Sequence, residues 1–100
     1  LCELQRIEIR DNNPADFSEA RFGMRADFSS SSLGFTRFEN TKFEGGATFA
    51  IAEFKNRATF RFAVFSGSAA FNYSIFKNAV LFHSTRFEGD ASFISASFEC

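Results

Sequence analysis

The chain has little of several residue types that often carry chemistry. Its 100 residues include no tryptophan, and only one histidine, one tyrosine, one methionine and one proline. No apolar run is long enough to cross a bilayer as a helix, and no basic segment followed by an apolar one suggests a signal peptide. The two cysteines, Cys2 and Cys100, stand at opposite ends. We expect free thiols, which suits the reducing cytoplasm.

No excess of either charge is present. The 11 Lys and Arg residues nearly balance the 12 Asp and Glu residues, for a net charge of -1. A general nucleic-acid binder would carry a basic stripe, so we expect no nucleic-acid partner. The chain begins with Leu1 rather than Met, which allows it to be part of a longer protein.

Combinations of residues that make catalytic or metal sites are missing from the sequence. His83 is the only histidine, and neither cysteine has a second cysteine at metal-binding spacing. Glu44-Gly45-Gly46 is typical of a turn and not of a phosphate loop, because no helix is expected after it to bind an anion. We therefore expect no enzyme activity, no cofactor, no metal ion, and no catalytic or cofactor-binding residue.

Phenylalanine is what the sequence has in excess, with 17 residues. Large apolar residues recur every five or six positions from Phe17 to Phe98, and from Phe43 onward steps of six and five alternate. The repeating unit there is eleven residues. The predicted core consists of the regularly spaced rings Phe49, Phe54, Phe60, Phe65, Phe71, Phe76, Phe82, Phe87 and Phe93.

A small or β-branched residue stands two positions before each of these phenylalanines, as Ala47 does before Phe49. Residues two apart share one face of an extended chain, so both are predicted to point inward. A helix is excluded because phenylalanines five apart would lie about 140° apart around its axis, which makes no common stripe.

Individual units such as Ala15-Asp16-Phe17-Ser18-Glu19 and Ala20-Arg21-Phe22-Gly23-Met24 resemble the pentapeptide-repeat family. The resemblance covers residues 15–100. It implies an all-β, right-handed quadrilateral β-helix with four units per coil. Steps of five and six then give a coil of about 22 residues and about four coils, in which Phe49, Phe71 and Phe93 stack.

Three places depart from the repeat. Residues 1–14 lack it and are predicted to form an N-terminal cap, with a strand at residues 7–10 and a turn at 11–14. A local irregularity is expected at residues 29–46, where Leu33 replaces phenylalanine and the alternation of steps is lost. No comparable cap follows Phe98, which favours either a longer parent chain or self-association through that end.

Several apolar residues fall on outward positions. We predict a partner patch composed of Ile51, Phe62, Val64, Tyr73 and Ile75. Within it, Ile51, Tyr73 and Ile75 are expected near one corner on adjacent coils. The alternative is that these are ordinary scattered surface apolar residues.

These observations favour a non-enzymatic structural or protein-interaction solenoid whose partner is a protein. The family resemblance offers a second hypothesis, a DNA-mimicking modulator of a type II topoisomerase. That mechanism needs an acidic surface, whereas the segment from Phe49 to Cys100 has four acidic and five basic residues. A third hypothesis is the soluble repeat region of a larger membrane or signalling protein.

Overall fold

The protein is all-β in the residues that its computed structural model describes, which are 4–6 and 15–99. Seventeen strands of two or three residues form four parallel sheets, and no helix occurs among the described residues. The chain visits the four sheets in turn and then returns to the first. This arrangement confirms the predicted all-β solenoid of about four coils with four sides.

Each sheet takes one strand from every coil. Sheet 1 consists of β2 (Ala15–Asp16), β6 (Thr36–Arg37), β10 (Ala58–Thr59) and β14 (Val80–Leu81). Sheet 2 consists of β3 (Arg21–Phe22), β7 (Lys42–Phe43), β11 (Val64–Phe65) and β15 (Arg86–Phe87). Sheet 3 consists of β1 (Leu4–Arg6), β4 (Arg25–Asp27), β8 (Ala47–Thr48), β12 (Ala69–Ala70) and β16 (Ala91–Ser92). Sheet 4 consists of β5 (Ser32–Leu33), β9 (Glu53–Phe54), β13 (Ile75–Phe76) and β17 (Ser97–Phe98).

Strand pairing gives the length of a coil directly. Ala58 pairs with Val80, which is the equivalent position after one complete circuit of the four sides, as the alternating steps of five and six predict. The coils are joined by backbone hydrogen bonds, such as the one that the Phe49 amide donates to the Ala70 carbonyl at 2.7 Å. Each side is too short to form a stable sheet alone, so stacking of coils supplies the pairing.

The coil that runs from Ala15 to Thr36 is one residue shorter than the coils that follow it. Ser32 pairs with Glu53, and Thr36 pairs with Ala58. The chain therefore takes one step fewer from Ser32 to Thr36 than the next coil takes from Glu53 to Ala58. Within that corner, the Thr36 hydroxyl donates a 2.8 Å hydrogen bond to the Gly34 carbonyl. The irregularity that the sequence predicts over residues 29–46 is confined to this one corner.

The interior is filled by stacked phenylalanine rings flanked by small residues. Phe54 and Phe76 stack with their ring centroids 4.5 Å apart, and both are fully buried. Six of the nine predicted core rings share that burial, namely Phe49, Phe54, Phe60, Phe65, Phe71 and Phe76.

The remaining three predicted core rings are less deeply buried. Phe82 and Phe87 are partly buried, and Phe93 is 37% exposed, although it was expected in the core. The physical reason is their position in the last described coil. Their rings stack on the coil before, but no described coil covers their other side.

Sheet 3 extends toward the start of the chain through β1. Leu4 pairs with Arg25, which places residues 4–6 one coil before β4. The strand expected at residues 7–10 and the turn expected at 11–14 lie outside the described residues, as do Cys2 and Cys100.

Candidate functional site

Tight turns form two opposite edges of the solenoid, between sheets 1 and 2 and between sheets 3 and 4. In the turn that follows Phe49, the Ala52 amide donates to the Phe49 carbonyl at 3.1 Å, and Ile51 has φ of 61°. A positive φ at the third residue is typical of a type II turn. The same position recurs in every described coil, at Glu19, Ser30, Asn40, Ile51, Phe62, Tyr73, Ser84 and Ser95.

Three of these left-handed positions hold large apolar side chains. The left-handed conformation costs a residue with a Cβ roughly 1–2 kcal/mol, and asparagine tolerates it better than a β-branched residue does. Burial does not offset this cost well, because Ile51 is 63% exposed and Tyr73 is 59% exposed. Serine or asparagine, which occur at the same position in other coils, would suit the fold better.

The apolar residues that the sequence places in one patch lie on two separate edges. Ile51, Tyr73 and Ile75 lie at the edge between sheets 3 and 4. Phe62 and Val64 lie at the opposite edge, between sheets 1 and 2. The five predicted residues therefore do not form one surface, because the two edges are half a coil apart along the chain.

Phe62 has neighbours of its own at that second edge. Its ring packs edge-on against the His83 ring with centroids 5.9 Å apart, and the Arg61 guanidinium lies 5.9 Å from its centroid. These contacts give Phe62 and His83 a local packing role on the surface.

A large uncharged surface adjoins the edge between sheets 3 and 4. Three segments, 45–52, 66–76 and 91–98, contain no charged residue, although 23% of the chain is charged. The pairing of Ala47 with Ala69 and of Ala69 with Ala91 stacks these segments on one side of the solenoid. We call this surface the neutral face; its outward residues are Thr48, Ala50, Ile51, Ala70, Asn72, Tyr73, Ser92 and Ile94.

The apolar residues of the sequence do not by themselves reveal the neutral face. The available signal was the recurrence of charge-free segments about one coil apart. Only the register between coils shows that the three segments stack.

Ion pairs occupy the other three sides of the described solenoid. On sheet 1, Arg37 contacts Glu39 at 2.6 Å, and this hydrogen bond lowers the pKa of the Glu39 carboxyl below its ordinary value of 4.5. The remaining close pairs lie on sheets 2 and 4, and they are Arg21 with Glu44 at 2.6 Å, Lys77 with Glu53 at 2.9 Å and Arg86 with Glu88 at 3.3 Å.

Two polar atoms of the neutral face are buried without a hydrogen-bond partner. They are Oδ1 of Asn72 and Oγ of Ser92. A buried polar atom without a partner costs about 1–3 kcal/mol. Two further atoms of this kind in the described part of the chain, Oγ of Ser18 and Oγ of Ser31, lie outside the neutral face.

Side-chain clusters suited to metal binding are absent from the described part of the chain. No cluster of three or more His, Cys, Asp or Glu residues is found there, and none of its elements is a helix that could cross a membrane. A shallow depression of about 520 Å³ lies where sheet 1 meets sheet 2 and is lined by Glu19, Ala20, Arg21, Asn40 and Lys42. Arg21 is engaged there by Glu44.

No protein-family model, curated protein or solved structure matches this chain. The β-solenoid architecture is established by the strand pairing itself. Membership of the pentapeptide-repeat family remains an expectation that rests on Ala15-Asp16-Phe17 and the units like it.

Proposed function

We propose that this chain is a non-enzymatic, protein-binding solenoid of the pentapeptide-repeat kind, and that its neutral face contacts the partner. The observation that carries the proposal is the stacking of three charge-free segments on one side. The centres of protein interfaces are depleted in charged residues and enriched in tyrosine. Tyr73 lies at the exposed edge of this face.

Rigid presentation of side chains supports the same function. The backbone of sheet 3 is held by hydrogen bonds between successive coils, since the Phe49 amide donates to the Ala70 carbonyl and the Phe71 amide donates to the Ser92 carbonyl, both at 2.7 Å. A surface already ordered before binding loses less conformational entropy when it meets a partner.

Mimicry of DNA has weaker support as a function. It requires a continuous acidic surface, whereas Glu39, Glu44, Glu53 and Glu88 each lie beside a cationic side chain. A supercoiling assay with purified gyrase measures this alternative directly, and inhibition by the wild-type chain would favour it over the neutral-face proposal.

The proposal is tested by site-specific photo-cross-linking in cells that produce the chain. A benzophenone amino acid replaces Tyr73 on the neutral face or, as the control, Arg37 on sheet 1. We expect a discrete protein adduct from position 73 that is absent from position 37.

The captured protein is then purified and titrated by calorimetry against Ala70→Arg, which introduces a charge at the centre of the neutral face. Leu81→Arg, on the outward surface of sheet 1, is the matched control. We expect binding to be lost only in Ala70→Arg. Equal adducts from both positions, or equal binding by both variants, would overturn the proposal.

A further inference from the structure

A column of residues at one margin of the neutral face carries opposite charges three coils apart. Strand pairing aligns Arg25, Gly46, Ser68 and Asp90 one above another, each directly before an inward alanine of sheet 3. Arg25 and Asp90 are both exposed, and neither takes part in an ion pair within the described residues. Three coil spacings of about 4.8 Å separate them by roughly 14 Å.

We propose that the partner on the neutral face is a second copy of this chain, packed face to face and antiparallel. This inference rests on the proposed function and names its partner. The two-fold axis lies in the interface, perpendicular to the solenoid axes, at a level between β8 and β12. Arg25 then faces Asp90 of the second copy, and the symmetry repeats this ion pair on the other side.

One further column matches itself under the same axis, the column of left-handed positions at the edge between sheets 3 and 4. Ile51 meets Tyr73 of the second copy, and Ser30 meets Ser95, so large apolar residues face each other and small polar ones do likewise. A neighbouring column at the corner between sheets 2 and 3 is formed by the residues that directly precede the Arg25 column. These residues are Met24, Gly45, Gly67 and Gly89.

Met24 fits this arrangement by size. Its side chain is 46% exposed, and the axis places it opposite Gly89 of the second copy, which has no side chain to occupy the space. Burial against the glycine column would remove the apolar surface of Met24 from water.

The size of the face sets the strength of the contact. Four strands stacked along the solenoid axis give the face a height of about 19 Å, and five or six extended residues give it a width of about 18 Å. Two copies in contact would therefore bury roughly 700 Å² in total. Stable interfaces bury about 1,200–2,000 Å² in total. We therefore expect a reversible dimer that dissociates on dilution through the micromolar range.

Sedimentation velocity of the whole chain, from about 5 to 500 µM, tests the dimer, with circular dichroism to confirm folding of each variant. We expect Arg25→Asp and Asp90→Arg each to abolish association by placing like charges opposite each other. The double variant Arg25→Asp/Asp90→Arg restores the pairing with reversed signs and should associate as the wild type does. Leu81→Arg, on sheet 1, should associate normally.

A wild-type chain that stays monomeric at the highest concentration would overturn the dimer. So would folded single variants that associate normally, or a folded double variant that stays monomeric. The proposed function fails separately: if the wild type is monomeric but Ala70→Arg loses the cross-linked partner, the neutral face binds a different protein. If both experiments fail, neither proposal stands.

Discussion

The ring of Phe71 lies directly on that of Phe49, with centroids 5.0 Å apart and planes within 5° of parallel. Across the interior, Phe71 meets Phe60 edge to face, at 5.8 Å and 88°. Each central ring therefore packs along the solenoid axis and across it at once. This double packing explains why one aromatic residue type recurs at nearly every large inward position.

Replacement of Phe71 by alanine should remove contacts in both directions and leave a cavity. We expect Phe71→Ala to lower the free energy of unfolding by about 3–5 kcal/mol, measured by chemical denaturation. Phe98→Ala is the control, because that ring is 51% exposed and should lose much less. Equal losses in the two variants would contradict the stacked core.

Glycine is required where coils approach closely at the corner between sheets 2 and 3. A Cβ at Gly67 would lie 2.8 Å from the Gly46 nitrogen and 2.9 Å from the Gly45 carbonyl carbon. Because these are backbone atoms of the preceding coil, Gly67→Ala should force the coils apart and destabilise the fold by about 1–3 kcal/mol.

Gly23 provides the matched control for that corner. A Cβ there would meet only the end of the Glu44 side chain, at 3.9 Å. Thermal unfolding should therefore show a clear fall in midpoint for Gly67→Ala and little change for Gly23→Ala. A tolerated Gly67→Ala would show that the coils are less tightly spaced than described.

The pH dependence of stability should include a contribution from Glu39. Its pKa is lowered chiefly by the hydrogen bond from Arg37, so the folded state favours the carboxylate. The stabilisation is then present above the ordinary pKa of 4.5 and is lost as pH falls through the lowered value. Glu39→Gln should unfold at a slightly lower temperature than wild type at pH 7, and the two midpoints should converge as the pH falls through the lowered pKa of Glu39. A constant difference across this range would exclude the ion pair as its cause.

Much of the fold could be predicted because the inward positions are nearly invariant along this one chain. Phe54 and Phe76 are separated by one full coil of sequence, and their rings stack in the structure. Repetition made the coil length readable without any structure. The short coil was placed only within residues 29–46, although the sequence marks it at the five-residue step from Leu33 to Phe38, where a step of six is due.

The candidate site was harder to predict, since outward residues do not repeat. Ile51 and Phe62 are eleven residues apart and look equivalent in the sequence. They lie on opposite edges because eleven residues are half a coil. The side of the solenoid on which an outward residue lies therefore depends on the register between coils. Charge-free segments can be recognised as one continuous face only after that register is known.

We expect Ile51 and Tyr73 to serve partner binding and not folding. The most direct measurement is the free energy of unfolding of the double variant Ile51→Asn/Tyr73→Asn, since asparagine already occupies the equivalent left-handed position at Asn40. Asn40→Ile is the reciprocal control and should destabilise the chain by about 1 kcal/mol.

Asparagine should relieve the backbone strain at positions 51 and 73. In dilute solution, where the chain is monomeric, we therefore expect the double variant to be more stable than wild type by roughly 1–2 kcal/mol. The same variant should bind more weakly through the neutral face. A double variant that is less stable than wild type by about 1 kcal/mol or more would show that these side chains hold the fold together, and would contradict the claim.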